Sequence, residues 1–205
     1  LASGSPRRRR MLAEAGIAAT VRPAEVDDGR LEPGAVSPRW WVAALAWFKA
    51  AAVARSLERT EPAARGLVLA ADTVCLLQGT ITGQPADAAA AARTIRRVAG
   101  GEHEVLTGVA LLEVPSGRRR LLVDTARVRC GPLSEAAIEE YVATDAWRGK
   151  AGGYNLEERL AAGWPLSCTG DPMTVVGLPM RRLESILAPW RRAPAHPAPG
   201  RESAS

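Results

Sequence analysis

Asp72 closes the apolar run Leu67–Ala71 and is followed at once by Thr73. A short, wholly apolar run reads as a buried strand, and open α/β sheets place their ligands beyond the C-terminal ends of such strands. A carboxylate at the mouth of a core is costly unless a cation or hydrogen-bond donors meet it. Asp72 is therefore where chemistry is expected first. A second cluster, Ser3-Gly4-Ser5-Pro6-Arg7-Arg8, stands at the chain start. Backbone N–H groups, a positive helix terminus, two hydroxyls and two guanidiniums converge there, as an anion requires. Arg7 to Arg10 oppose the helix dipole in a first turn, and a bound phosphate would account for them. The blander reading is a capped helix with an exposed basic turn. No Walker-type G-x-x-x-x-G-K is present.

Asp27, Asp28 and Asp72 are candidate carboxylates for a hard divalent cation that bridges the phosphates of a nucleotide. Taken singly, Asp28 also reads as a turn residue. The 27 basic residues include only two lysines, Lys49 and Lys150. A solvated surface cation can be Arg or Lys, but a compact ammonium in a tight site cannot be replaced by a guanidinium. The two lysines therefore gain weight as site residues. Lys49, after two aromatics in a helix, reads equally as a snorkelling surface residue. Lys150 lies in the glycine-rich Gly149–Tyr154, where the backbone can approach a ligand closely. His103, between Glu102 and Glu104, reads as a surface or strand-end histidine without a role.

The elements that must hold these residues follow from local signals. Ser5-Pro6 and Ser37-Pro38 each pair an N-cap hydroxyl with a proline at the first helical position. They predict helices stopping at Gly16 and near Arg55. Ala19–Val26 reads as extended, followed by an acidic turn at Asp27-Asp28-Gly29. The strand from Leu67 either continues or folds back through Val74–Leu77, with Gln78-Gly79 as a turn. Pro85-Ala86-Asp87 opens an Ala-rich helix, and Pro115-Ser116-Gly117 joins strands Glu104–Val114 and Arg119–Arg129 in a hairpin. Ser134 caps a helix running to about Thr144, and Gly177 to Trp190 forms the last one. Strands interleaved with helices mean α/β, here a mixed central sheet flanked by helices. Residues 1–192 are expected to form one domain and 193–205 a disordered tail.

Composition narrows the function class. No apolar stretch of about 18 residues occurs, so no membrane partner is expected. The chain opens on Leu1 with no basic region ahead of an apolar one, so no secretory signal is read, and a few residues of a first strand are expected to precede it. Cys75, Cys130 and Cys168 are odd in number and lack C-x-x-C spacing, which predicts free thiols in a cytoplasmic protein. The net charge of +5 invites a nucleic-acid reading. The 22 acidic residues are dispersed, however, and no basic–aromatic stripe or nucleic-acid motif occurs. A homodimer is left open: tryptophans can mark an interface, although core burial is their commoner use.

Taken in order, Leu1–Arg8, Ala71-Asp72-Thr73, Thr82-Gly83-Gln84-Pro85, Thr107-Gly108-Val109, Lys150-Ala151-Gly152 and Val176-Gly177-Leu178-Pro179 resemble the motifs of Maf-like nucleoside triphosphate pyrophosphatases. The resemblance spans residues 1 to about 190. It implies an inosine-triphosphatase-like fold with a nucleotide cleft between two lobes, and a divalent metal cation, Mg²⁺ or Mn²⁺. Water would attack between the α and β phosphates of an NTP or dNTP, giving the monophosphate and pyrophosphate. Asp72 matches the family's catalytic proton acceptor and a metal ligand. Ser5, Arg8, Lys49 and Lys150 match phosphate-cleft positions, with Arg7, Thr73 and Gln84 beside them as substrate contacts. Asp28 stands where the family commonly has a Glu that binds metal or water. Such a set suits phosphoryl transfer, which relies on positioning and on neutralising charge over the phosphate oxygens.

Three departures bear on activity and base. Gln84 replaces a usual Lys, Gly149 a usual Asp, and Glu157 a Gln common in the branch acting on thymidine and uridine triphosphates. A Gln both donates and accepts, which suits a pyrimidine edge, whereas a Glu only accepts, which suits guanine or cationic 7-methylguanine. Glu157, Glu25-Val26-Asp27-Asp28 and Gly170-Asp171-Pro172 look like the 7-methyl-GTP branch; Arg7 and Thr73 look like the pyrimidine branch. The loss of the Lys at position 84 also raises a second class of function, a nucleotide-binding regulator of cell division with weak or no catalysis.

Overall fold

The computed structural model describes residues 1–24, 26 and 36–191. Asp27, Asp28 and the tail expected over 193–205 lie outside them. Helix α1 (Pro6–Glu14) and helix α2 (Pro38–Thr60) begin at the predicted Ser-Pro steps. The Ser5 and Ser37 hydroxyls accept from the amides of Arg8 and Trp40 respectively, satisfying helix-start donors. α2 runs past Arg55 because nothing breaks it before Pro62, which disfavours helical backbone at Glu61.

Among the described residues five strands make one sheet in the order β2-β1-β3-β4-β5. They are β1 (Gly66–Leu77), β2 (Thr80–Thr82), β3 (Glu102–Val114), β4 (Arg119–Cys130) and β5 (Leu166–Thr169). The helix-flanked α/β arrangement is as read from the sequence, but the pairings are antiparallel throughout rather than mixed. Tight turns dictate this for β1–β2 and β3–β4, since a short hairpin turn can join only antiparallel strands; β1–β3 and β4–β5 are antiparallel across longer, helix-containing connections. β1 does not stop at Asp72. It continues to Leu77 and turns through Gln78 and Gly79, both at positive φ (50° and 76°), the conformation that two-residue hairpins favour. Asp72 is thus a mid-strand residue.

Helices α3 (Ala88–Val98), α4 (Glu135–Ala143), α5 (Leu156–Ala161), α6 (Pro172–Val176) and α7 (Met180–Arg191) complete the fold. Side chains alternate between sheet faces along each strand. On one face α2 sets Ala46, Ala50 and Val53 against Val68, Ala70, Ala110 and Leu112. On the other, α1 and α7 pack over Leu69, Ala71, Val109 and Leu111. Further along that face, α3 and α4 pack over Cys75, Leu77, Val105 and Val128. The space between these two helix groups is where a cleft opens. Tryptophan usage is split: Trp147 is 1% exposed and Trp40 71%.

Candidate active site

The edge of β1 explains how Asp72 and Thr73, on opposite faces of one strand, line one cleft. Ala2 donates its amide to the Leu69 carbonyl at 2.7 Å, and β2 pairs only with Cys75, Leu76 and Leu77. Among the described residues no further backbone pairing covers the strand edge between these two, and a ligand there meets side chains from both faces. The cleft at this opening has a volume of about 1040 Å³. Of the residues singled out from the sequence, Ser5, Arg7, Arg8, Lys49, Asp72, Thr73, Gln84 and Lys150 all line it.

Asp72 points to the α2 face. Its Oδ1 accepts from Lys49 Nζ at 2.5 Å, and the two side chains are only 15% and 17% exposed. The partner of Asp72 across the sheet is Gly108. A Cβ there would stand 2.5 Å from the Val42 carbonyl oxygen, so the missing side chain is what lets α2 press its backbone onto the sheet. Lys49 follows Val42 by seven residues, two turns on, and so faces the sheet on the same side of α2. The snorkelling alternative for Lys49 does not hold.

Thr73 points the other way, to α1. Arg8 donates from Nη2 to Thr73 Oγ1 (3.0 Å), from Nη1 to Ser3 Oγ (3.1 Å) and from Nε to the Gly177 carbonyl (2.9 Å). Three of five guanidinium N–H groups are thereby spent on holding the side chain. Burial pushes the Arg8 pKa down; Asp72 opposes that shift and neighbouring Arg7 adds to it. Ser3 Oγ also takes the Ser5 amide at 3.3 Å and Ser5 Oγ the Arg8 amide at 3.4 Å. In these bonds both hydroxyls accept.

The far wall is built by Gly83, Gln84 and the segment from Arg148 to Asn155. The Gly152 amide donates to the Gly83 carbonyl at 3.1 Å, tying the two motif loops together. Gly152 has φ of 71°, and a Cβ on it would meet Cys75 at 3.0 Å, so both conformation and space require glycine. Lys150 is ion-paired with Glu158. Behind the wall, Tyr154 bonds His103 Nε2 at 2.7 Å. His103 is not a surface residue: it is 2% exposed, and burial pushes its pKa down to about 4 against the pull of Glu102. Cys75, also lining the cleft, has its thiol pushed up to about 12 by burial, with Arg97 opposing. All three cysteines are free.

Glu157 does not join the site. Asn155 caps α5 by accepting the Glu158 amide at 2.9 Å, and Glu157 in that first turn is exposed and paired with Arg10 at 3.1 Å. Sequence reasoning left out Trp41, Arg148, Tyr154 and Asn155 as cleft residues. Only the position of Asn155 between a glycine-rich turn and a helix start could have marked it.

The sequence profile of the family described as Maf-like protein matches residues 1–190. The chain belongs to this family. Similar proteins named dTTP/UTP pyrophosphatase include one from Pelotomaculum thermopropionicum, 41% identical over 187 residues covering 91% of this chain and 93% of the relative. One from Moorella thermoacetica is 39% identical over 191 residues, covering 92% of each chain. One from Salinibacter ruber is 41% identical over 187 residues, covering 91% of this chain and 88% of the relative. Two of the three departures in this Maf-like chain line the cleft and one does not. Gln84 and Gly149 are both exposed and line the cleft, and Glu157 lies outside it. Among the described residues no helix is long and apolar enough to cross a membrane.

Proposed function

We propose that this Maf-like protein is a nucleoside triphosphate pyrophosphatase, with dTTP and UTP as its substrates, hydrolysing them to the monophosphate and pyrophosphate. One observation carries the reading: one cleft beside β1 gathers Asp72, Lys49, Arg7, Arg8, Ser5 and Lys150. The pyrimidine preference rests on the names of the relatives and on Glu157, one of the residues that argued for a guanine-type base, standing outside the cleft.

Arg7, Arg8 and Lys150 supply positive charge for a triphosphate, and the Ser3 and Ser5 hydroxyls retain hydrogens to donate to its oxygens. Arg8 is preorganised by its three protein acceptors, so its two remaining N–H groups need little reordering when charge builds on the phosphates. Asp72 acts as proton acceptor for the attacking water, and Lys49 fixes the orientation of its carboxylate. As water attacks phosphorus, the bond to the bridging oxygen breaks and pyrophosphate leaves with the electron pair.

No group of three or more His, Cys, Asp or Glu side chains that could hold a metal occurs among the described residues. The set nevertheless fits Mg²⁺ or Mn²⁺, because such ions are commonly held by one or two carboxylates together with substrate phosphates and waters. Asp72 would be the protein ligand, and the cation would neutralise phosphate charge and acidify water. Asp28 is a further proposed ligand.

A substrate panel tests the assignment. The protein with Mg²⁺ or Mn²⁺ is offered dTTP, UTP, GTP and 7-methyl-GTP, and pyrophosphate is measured. The expected order places dTTP and UTP first. Preference for 7-methyl-GTP would overturn the base assignment, and tight nucleotide binding without turnover of any member would favour the regulator instead.

A further inference from the structure

The cleft reading leaves Thr107 of the Thr107-Gly108-Val109 motif without a job, although it is 0% exposed. Its Oγ1 donates to the Thr174 carbonyl at 2.7 Å and lies 2.9 Å from Thr73 Oγ1. A hydroxyl has one hydrogen, and a carbonyl can only accept. The Thr107 hydrogen is therefore spent on Thr174, and Thr73 must be the donor in the bond between the two threonines. Thr73 then has no hydrogen left. Toward Arg8 it can only accept, which matches the guanidinium, a group with no acceptor of its own. The direction of each bond is fixed from Arg8 through Thr73 and Thr107 to the Thr174 carbonyl.

The far end is anchored as well. Thr174 Oγ1 donates to Asp124 Oδ2 at 2.5 Å, and Arg182 holds the other carboxylate oxygen at 2.9 Å. Thr174 lies in α6, and Gly177, at its C-terminal cap, gives its carbonyl to Arg8 Nε. Helix α6 thus meets the guanidinium twice, once directly and once through the hydroxyls.

We propose that Thr107 is a positioning residue for triphosphate binding: it locks Thr73 as a pure acceptor and so fixes which Arg8 N–H groups are left for the substrate. A consequence is that Thr73 serves Arg8 instead of donating to a phosphate itself. The inference rests on the cleft being a phosphate site, so its test reads binding separately from turnover.

The probe is α,β-imido-dUTP, whose α–β bridge is not hydrolysed, titrated calorimetrically into the full chain with Mg²⁺. Failure of the unmodified protein to bind it would refute the function proposed above, not the relay. Given binding, Thr107→Val should raise Kd by about tenfold, the upper end of what one neutral hydrogen bond contributes. Thr107→Ser, which keeps the hydroxyl, should stay within about twofold of the unmodified protein. In an Arg8→Lys background the same Thr107→Val change should add less than about twofold, since residues acting through one partner are non-additive. Unchanged Kd in Thr107→Val, or a full tenfold penalty persisting in the Arg8→Lys background, would overturn the proposal. Should Thr107→Val not fold, Thr73→Val breaks the same relay nearer the surface and is judged by the same cycle.

Discussion

The Lys49–Asp72 pair depends on how closely α2 approaches the sheet, and Gly108→Ala perturbs that approach alone. The added Cβ would lie 2.5 Å from the Val42 oxygen, 2.8 Å from its carbonyl carbon and 3.0 Å from the Ala43 nitrogen. Ordinary contact begins at 3.4 Å. These neighbours are helix backbone, not the ends of flexible side chains, so α2 must back away by roughly 0.9 Å at the tightest point. Overpacking of this kind costs about 1–3 kcal/mol. For a chain of this length each kcal/mol lowers Tm by about 2–4 °C, giving a fall of roughly 2–12 °C. Lys49 moves with the helix, and a displacement near 1 Å in a catalytic group costs about 10²-fold in rate. Thermal melts and pyrophosphate release, measured on Gly108→Ala beside Gly101→Ala, check both numbers. Gly101 is the control because its added Cβ would meet nothing closer than 3.7 Å. A Gly108→Ala protein with unaltered Tm and turnover would refute the reasoning. A lowered Tm with full turnover would show that helix approach does not set the Lys49–Asp72 geometry.

Asp72→Asn keeps the shape of the side chain but removes the proton acceptor, and should lower kcat by at least about 10²-fold while melting within a few degrees of the unmodified protein. Arg8→Lys cannot fill three acceptors in a fixed fork, so KM for dTTP should rise by about tenfold, measured by initial rates. Native His103 takes up a proton only near pH 4, whereas the unfolded residue does so near 6.5. The unfolded chain therefore binds more protons in that window. The contribution of His103 is complete above pH 6.5, and about 3 kcal/mol is lost as pH falls to 4. Urea melts at pH 7 and 4.5 should show this loss, and His103→Leu should flatten it from a lower starting stability; an equal slope in both proteins would contradict the assignment. With its thiol pushed up to about 12 and 2% exposure, Cys75 should resist iodoacetamide at pH 8 in the folded protein and react only after denaturation. Mass spectrometry of the alkylated peptides decides this.

Local chemistry makes much of this structure legible in the sequence. Ser5, Ser37, Asp87 and Ser134 cap their helices as their hydroxyl or carboxyl groups promise. The near absence of lysine pointed to Lys49 and Lys150, and both line the cleft. The local pattern offers both a continuation and a fold-back for the strand beyond Asp72, and the run to Leu77 before the Gln78-Gly79 turn is the first of these. What escaped was non-local. The approach of Val42 to Gly108, and of Thr174 to Thr107, joins residues some 66 and 67 positions apart through packing that periodicity does not encode. Glu157 failed as a cleft residue because the Asn155 cap starts α5 one step earlier and turns that side chain toward Arg10. His103 was misjudged from its acidic neighbours: on a strand they face the opposite side, so Glu102 and Glu104 say nothing about the burial of the residue between them.

The central claim, that the cleft directs water to the α phosphate, is tested most directly by phosphorus NMR of dTTP turned over in H₂¹⁸O. Pyrophosphate and thymidine monophosphate should appear in equal amounts, with the isotope shift on the monophosphate resonance alone. Isotope in the pyrophosphate would place the attack on the β phosphate, and orthophosphate with the diphosphate would mean that a different bond is cut; either would contradict the account.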